Sequence, residues 1–288
     1  MLIINVVIDL HTHSTASDGS FTPSALMEEA VKRSITAIAL TDHDTLGGLD
    51  EAAKAAAERG IRFIPGIELQ IVWPQDTGGE FHLLGLGITN PSQSFIAAVA
   101  ELARRRENRN QEMLEKMNEA GINVSAEEIR ALTAAQENQS CSIGRPHFAE
   151  LLVQRKIVKN REQAFAQYLG RGKPFFIPKA GMDFEQAATL IKESGGIAVL
   201  AHPMSLYVAW GRLPALIENL KKRGLNGIEA WHPTAKVSSC QRLEALGKQL
   251  GLCVTAGSDF HGEGRSDRKL GFTAGGAKID ERFLECFL

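Results

Sequence analysis

Cysteine is scarce and scattered. The 288 residues contain only Cys141, Cys240, Cys253 and Cys286, with no CxxC pair among them. That spacing argues against a disulfide framework or a thiolate zinc site and fits a reducing compartment. Long apolar runs are also missing, and none approaches the roughly 20 residues needed to span a bilayer. The apolar start from Leu2 to Ile8 has no basic residues ahead of it, so it reads as a strand rather than a secretion signal. Net charge is close to zero: 32 Lys and Arg against 34 Asp and Glu give −2, so no bulk field draws the chain onto duplex nucleic acid. No solenoid repeat and no low-complexity tract interrupts the chain. These absences predict a cytoplasmic protein without membrane or duplex DNA as a partner, and no obligate protein partner is evident.

What is present suffices for a full-sized core: 44% of residues are hydrophobic and 23% charged. The length accommodates one large α/β domain with an insertion, or two domains. Thr22-Pro23 is an N-cap and N1 pair for a helix running to about Arg33. Ile35 to Leu40 reads as a strand, Leu49 to Arg59 as an Ala-rich helix stopped by Gly60, and Ile61 to Ile64 as a strand leading into Pro65-Gly66-Ile67-Glu68. Phe81 to Gly87 is a fourth strand. This alternation is the signature of a parallel α/β sheet or barrel.

The rhythm then breaks. Ser94 to Ala120 reads as one long helix with a basic centre, Arg104 to Arg109. Three further helical segments follow, Ser125 to Leu132 with a Ser125/Glu128 capping box, Arg145 to Gln154, and Arg161 to Leu169. Residues 98–178 are therefore expected to form a helical insertion, and 1–97 with 179–288 the α/β body. In that body a helix through Glu193 precedes the strand Ile197 to Ala201. A helix from Leu213 to Arg223 then precedes Gly227 to Trp231, and a helix from Ser238 to Leu250 precedes Leu252 to Ala256.

Polar residues gather at or just past the ends of these strands. In an extended segment, residues two apart share a side, so His11 and His13 project together after the first strand, with Asp18 nearby. Asp42, His43 and Asp44 follow the second strand, Glu68 the third, His202 the fifth, His232 the sixth, and Asp259 and His261 the seventh. His82 lies in the fourth. Seven of the eight histidines belong to this set, and His147 alone lies in the insertion. Strand ends converge on one face of a barrel, where active sites are built. A donor set of imidazole and carboxylate without thiolate suits Mn, Fe or Zn, in hydrolytic clusters of two or more ions, with a carboxylate such as Glu68 able to bridge. Such clusters lower the pKa of water and clamp an in-line phosphoryl displacement.

The ordered motifs DLHTHS-x3-DG, TDHDT, PGIE, a strand histidine, LAHP and GSDFH resemble the PHP (polymerase and histidinol phosphatase) superfamily of metal-dependent phosphoesterases. The resemblance covers the whole chain. It implies an α/β fold, a distorted, TIM-like (β/α)7 barrel with the helical insertion between strands 4 and 5, holding two or three divalent ions, with Mn first and Fe or Zn as alternatives. The insertion, with GRPHFAELL and YLGRGKP, is similar to the branch containing nucleoside 3′,5′-bisphosphate phosphatases and enzymes that trim short RNA from its 5′ end. Carried over residue by residue, the pattern implies nine metal ligands: His11, His13, Asp18, His43, Glu68, His82, His202, Asp259 and His261. Asp44 matches a position expected to touch substrate or ordered water, and the resemblance gives His232 no firm role.

The reading that follows is a phosphomonoesterase removing the 3′-phosphate of a nucleoside 3′,5′-bisphosphate. Glu68 belongs to the catalytic centre, and Asp44, His232 or a metal-bound water is a candidate to protonate the leaving oxygen. Asp42 reads as a carboxylate orienting a neighbouring imidazole. Arg105 and Arg109, four apart, share a helix side and form either a solvated face or an anion clamp. Arg145, His147 and Lys173 are further candidates for the second phosphate, although Lys173 also reads as an ordinary loop lysine. The alternatives are a 5′→3′ exoribonuclease acting on short RNA, a histidinol-phosphate-type phosphatase, and a catalytically idle PHP binding module. The intact ligand set argues against the last.

Overall fold

The computed structural model describes residues 6–72, 79–134, 143–178, 181–265 and 267–287. In chain order the elements are β1 (Val7–Asp9), α1 (Pro23–Lys32), β2 (Ile35–Leu40), α2 (Leu49–Arg59), β3 (Arg62–Gln70) and β4 (His82–Leu86). Four helices follow: α3 (Gln93–Glu119), α4 (Ala126–Ala134), α5 (Arg145–Gln154) and α6 (Arg161–Ala164), the last continuing as a π turn over Phe165–Leu169. The chain closes with α7 (Phe184–Glu193), β5 (Ile197–Leu200), α8 (Leu213–Lys222), β6 (Gly227–Trp231), α9 (Val237–Gln249) and β7 (Cys253–Ala256). Two compact units emerge, Met1–Val99 with Gly181–Leu288, and Ala100–Ala180.

Local chemistry accounts for the helix ends. Thr22 accepts the amide of Ala25, with Pro23 in the first turn of α1, and Gly60 ends α2 in the left-handed conformation. Ser125 and Glu128 exchange the two bonds of a capping box before α4.

The first unit is built on one seven-stranded sheet in the order β1 to β7. Its two ends meet through a Thr12–Phe260 bridge and the bond from His13 N to the Phe260 carbonyl, which nearly closes a distorted TIM-like barrel. Side chains alternate between two cores. Along β2, Ile38 and Leu40 pack outward with Leu26, Met27 and Ala52 of α1 and α2. The intervening Ala37 and Ala39 join Ile8, Ile64, Leu84 and Val199 in the second core. The period of two along the strand produces this division.

The strands are not all parallel, as the alternation suggested. β4 runs antiparallel to both β3 and β5, while the other pairs are parallel. A parallel return from β3 would need a crossover long enough for a helix, and only residues 71–81 separate the two strands, so they form a hairpin. The reversal places His82, the first residue of β4, beside the C-terminal ends of its neighbours. β3 is also longer than expected and carries Glu68 within it rather than after it. The strand expected from Leu2 begins at Val7, and residues 1–5 lie outside the described residues.

The cysteine reading also needs correction. Cys253 of β7 and Cys286 of the C-terminal 3₁₀ turn (Glu281–Phe287) are joined in a disulfide, with their Cα atoms 5.9 Å apart. Adjacency in space, invisible in the spacing, makes the pair. One bond is not a framework, but it removes the cysteine argument for a reducing compartment. Cys141 lies outside the described residues.

The second unit has its own core, including Met113, Met117, Phe148, Leu152, Leu169 and Phe175. No described helix is long and apolar enough to cross a membrane.

Candidate metal centre

The centre begins where β1 ends. Asp9, fully buried, accepts the amides of His11, Ser258 and Gly271, tying the end of β1 to the segments after β7. Thr12 turns away from the centre and donates to the Ala39 carbonyl at 2.6 Å. The alternation then leaves His11 and His13 on the opposite side.

Asp42 does not orient an imidazole by any hydrogen bond described. Its carboxylate accepts Ser14 N (2.7 Å), Ser14 Oγ (2.6 Å) and Ser17 Oγ (2.6 Å). It therefore pins the turn that carries Asp18.

Glu68 lies at the middle of the cluster and is wholly buried. Its Oε2 approaches His11 Nε2 and His13 Nε2 at 3.3 Å and His43 Nδ1 at 3.0 Å. Its Oε1 approaches His82 Nδ1 and His202 Nε2, each at 2.9 Å. One carboxylate thus contacts five imidazoles from four segments of the chain. Asp259 Oδ1 approaches His13 Nε2 at 3.1 Å, His261 Nδ1 at 3.4 Å and His11 Nε2 at 3.5 Å. Asp18 Oδ1 lies 3.2 Å from His261 Nε2.

Three overlapping groups of ligand-type atoms result: His13, Asp18, His43 and His261; His11, His13, Glu68 and Asp259; and His43, Glu68 and His82. Within each group the atoms lie within 4.8 Å of one another. His202 joins through Glu68 and through a 3.3 Å approach to His82.

A second hydrogen bond on each ring sets which nitrogen points inward. His11 Nδ1 donates to Glu229 (2.9 Å), His82 Nε2 to Gln70 Oε1 (3.0 Å), and His261 Nδ1 to the Asp259 carbonyl (2.8 Å). The Ser205 hydroxyl donates to the Glu80 carbonyl, so it accepts from His202 Nδ1 at 2.7 Å. The remaining nitrogen of each ring faces the carboxylates, where it would offer its lone pair to a metal ion once its proton is displaced. Buried atoms without hydrogen-bond partners concentrate here: His11 Nε2, both nitrogens of His13 and Glu68 Oε2. Such atoms are costly unless a ligand satisfies them, and a divalent cation fits this donor set.

The electrostatics agree. Burial alone would drive the His11 and His13 imidazoliums down, yet the surrounding carboxylates outweigh it. Glu229 and Glu68 hold His11 well above its usual value, and Asp259 and Glu68 lift His13 to about 9. Burial would raise the Glu68 and Asp259 carboxyls, and the histidines instead hold both well below the carboxylate range. His43 goes the other way, pushed down to about 3, chiefly by burial. A cluster of buried carboxylates holding protons on imidazoles is one in which a cation can replace those protons.

His232 is engaged at both ring nitrogens. Nδ1 accepts the Thr234 amide at 3.3 Å, and Nε2 donates to Asp259 Oδ2 at 3.2 Å. Arg268 holds the same oxygen. Asp44 has a left-handed backbone (φ 49°), and its Oδ1 accepts the Gln70 amide at 2.9 Å.

The remaining candidates belong to the helical unit. Arg105 is exposed and bonds Glu101 at 2.8 Å. Arg109 is buried and reaches Asn110 Oδ1 at 3.0 Å. Arg145 stacks over Phe176, His147 Nδ1 accepts the Gly144 amide in a helix cap, and Lys173 is exposed.

Sequence reasoning passed over Glu229, Arg268, Gln70 and Ser205. Only Glu229 carries a visible signal, a lone carboxylate inside the apolar strand Gly227–Trp231.

Comparison with known proteins agrees with this geometry. The 3′,5′-nucleoside bisphosphate phosphatase of Chromobacterium violaceum is 34% identical over 266 residues, covering 92% of this chain and 91% of that protein. The 5′-3′ exoribonuclease Rnm of Escherichia coli is 34% identical over 265 residues, covering 89% of this chain and 85% of that one. The crystal structure of an inferred metal-dependent phosphoesterase from Bifidobacterium adolescentis superposes with a TM-score of 0.77 at 28% identity, covering 96% of this chain and 93% of that one. The sequence pattern of the PHP domain matches residues 9–182. The chain belongs to the PHP-domain family and is a phosphoester hydrolase.

Proposed function

We propose that the enzyme removes the 3′-phosphate of a nucleoside 3′,5′-bisphosphate, leaving the 5′-monophosphate. The observation that carries this reading is the convergence of unpartnered buried imidazole nitrogens on the two carboxylates Glu68 and Asp259. His11, His13, Asp18, His43, Glu68, His82, His202, Asp259 and His261 would hold two or three divalent ions, manganese first, with iron or zinc also suited to the donors. Bound there, the ions supply an activated water and neutralise the charge on the phosphoryl oxygens. Glu68, whose two oxygens face different imidazoles, is the carboxylate that would be shared between ions.

Protonation of the leaving oxygen is assigned to Asp44, in the turn immediately after His43. His232 is the weaker candidate, because its ring is committed to Thr234 and Asp259. The second phosphate is assigned to cations of the helical unit, Arg109 and Arg145 first, then His147 and Lys173, with Arg105, exposed and paired with Glu101, the weakest candidate.

Similarity to the exoribonuclease supports a second reading, 5′→3′ trimming of short 5′-phosphorylated RNA by the same residues. The test is a side-by-side product assay with adenosine 3′,5′-bisphosphate, a 5′-phosphorylated short RNA and histidinol phosphate, with manganese and after chelation. Faster release of phosphate from the bisphosphate supports the first reading. Preferential release of mononucleotide from RNA replaces it with the second, and full turnover by the metal-stripped enzyme overturns both.

A further inference from the structure

Glu229 is 1% exposed, on strand β6, and is absent from the three ligand groups. Each of its oxygens is engaged by a different metal-centre histidine. Oε1 accepts His11 Nδ1–H at 2.9 Å, and Oε2 accepts the backbone N–H of His202 at 2.7 Å. These two histidines lie on separate segments, one after β1 and one after β5. His202 has a left-handed backbone (φ 28°, ψ 65°), a conformation that a β-carbon disfavours and that surrounding contacts must hold.

A second observation concerns the path of that carboxylate. β7 lies between β6 and the β1 end of the sheet, and Gly257 follows directly after it. A β-carbon at Gly257 would lie 2.6 Å from Glu229 Oε1 and 2.2 Å from His11 Cβ. The absence of a side chain there is what lets Glu229 reach His11.

We propose that Glu229 is a positioning residue that sets two metal-binding histidines at once, with Gly257 as the gap through which it acts. It fixes the proton of His11 on Nδ1, which leaves Nε2 directed at Glu68 and Asp259, and it anchors the strained backbone from which His202 projects. This rests on the reading that His11 and His202 bind metal. Glutamine has the shape of glutamate but only one accepting oxygen. In E229Q, either His11 or His202 therefore meets an amide N–H₂ instead of an acceptor.

The test is titration of Mn²⁺ into chelator-stripped protein by calorimetry, for the wild type, E229Q and G257A. E229Q is expected to bind Mn²⁺ roughly 10- to 100-fold more weakly. G257A, which keeps the carboxylate but closes the gap, should shift in the same direction. In zinc-loaded protein, the His11 Nδ1–H resonance in a histidine-selective ¹⁵N spectrum should be protected in the wild type and lost in G257A, a signature that a general loss of packing would not single out. If G257A does not fold, the isosteric E229Q carries the test. Equal Mn²⁺ affinity in E229Q and wild type overturns the role of Glu229. Absence of Mn²⁺ binding by the wild type overturns the metal-centre reading beneath it.

Discussion

The barrel unit and the helical unit hold their charged side chains in opposite ways. In the barrel, partners come from distant parts of the chain and are buried: Glu68 meets His202 at 2.9 Å across 134 positions, and His11 meets Glu229 across 218. In the helical unit, many of the partners are local. Arg104 and Arg105 both bond Glu101 within a turn of the same helix, and His147 caps the start of its own helix at Gly144. Long-range buried contacts are set by the whole sheet and resist piecemeal change, whereas a local surface pair can be replaced without disturbing anything beyond its helix. The candidate metal ligands thus lie in the unit whose contacts are long-range. The cations proposed to bind the second phosphate lie in the unit with more local contacts, and identity is equal to relatives named for a phosphatase and for an exoribonuclease.

The sharpest way to break this comparison is at its centre. Glu68→Gln removes the charge that five imidazoles share, and turnover should fall by on the order of 10³-fold or more. Metal content measured on the purified variant should fall with it. A variant retaining both metal and rate would show that the buried network is structural rather than catalytic.

A smaller effect concerns pH. In metal-free protein His13 is raised from 6.5 to about 9, and His11 and His202 shift the same way. A raised imidazole stabilises the fold fully below its unfolded value and loses that contribution as pH climbs through the folded one. Chelator-stripped enzyme should therefore unfold at progressively lower temperature between pH 6.5 and 9. Manganese affinity should rise over the same window, because the ion displaces those protons. Thermal scans with and without manganese should diverge with pH; parallel profiles would count against the imidazoles as ligands.

The long-range half of this comparison was the more legible in sequence, for a physical reason. Strand ends on a barrel rim must carry their functional groups at fixed chain positions, so His11, His43, His202 and His261 were visible as residues following apolar runs. The direction of β4 was not visible, because apolar alternation is the same for a strand running either way. It follows from the short β3–β4 connection, which a reader expecting crossovers passes over. Supporting groups left fainter traces. Gln70 and Ser205 act through one bond each to a histidine, and nothing about a glutamine in a strand or a serine in a short turn singles them out. The Cys253–Cys286 bond depends on the C-terminal turn lying against β7. Spacing carries no record of that.

The local half is sharpened by two arginines that periodicity treats as equivalent. Arg105 and Arg109 share a helix side by count, yet Arg105 is exposed on Glu101 and Arg109 is 9% exposed. A surface pair contributes little, so Arg105→Ala should leave both the melting temperature and the Michaelis constant unchanged within error. A guanidinium serving a phosphate through charged hydrogen bonds supplies about 1.5–3 kcal/mol, or roughly 10- to 150-fold. Arg109→Ala should raise the Michaelis constant for a bisphosphate by that factor while leaving kcat within a few-fold, the pattern of lost binding shared by ground and transition states. The control is a substrate lacking the second phosphate, for which the two variants should behave alike. If Arg109→Ala lowered kcat on both substrates equally, the proposed assignment of Arg109 to the second phosphate would fail.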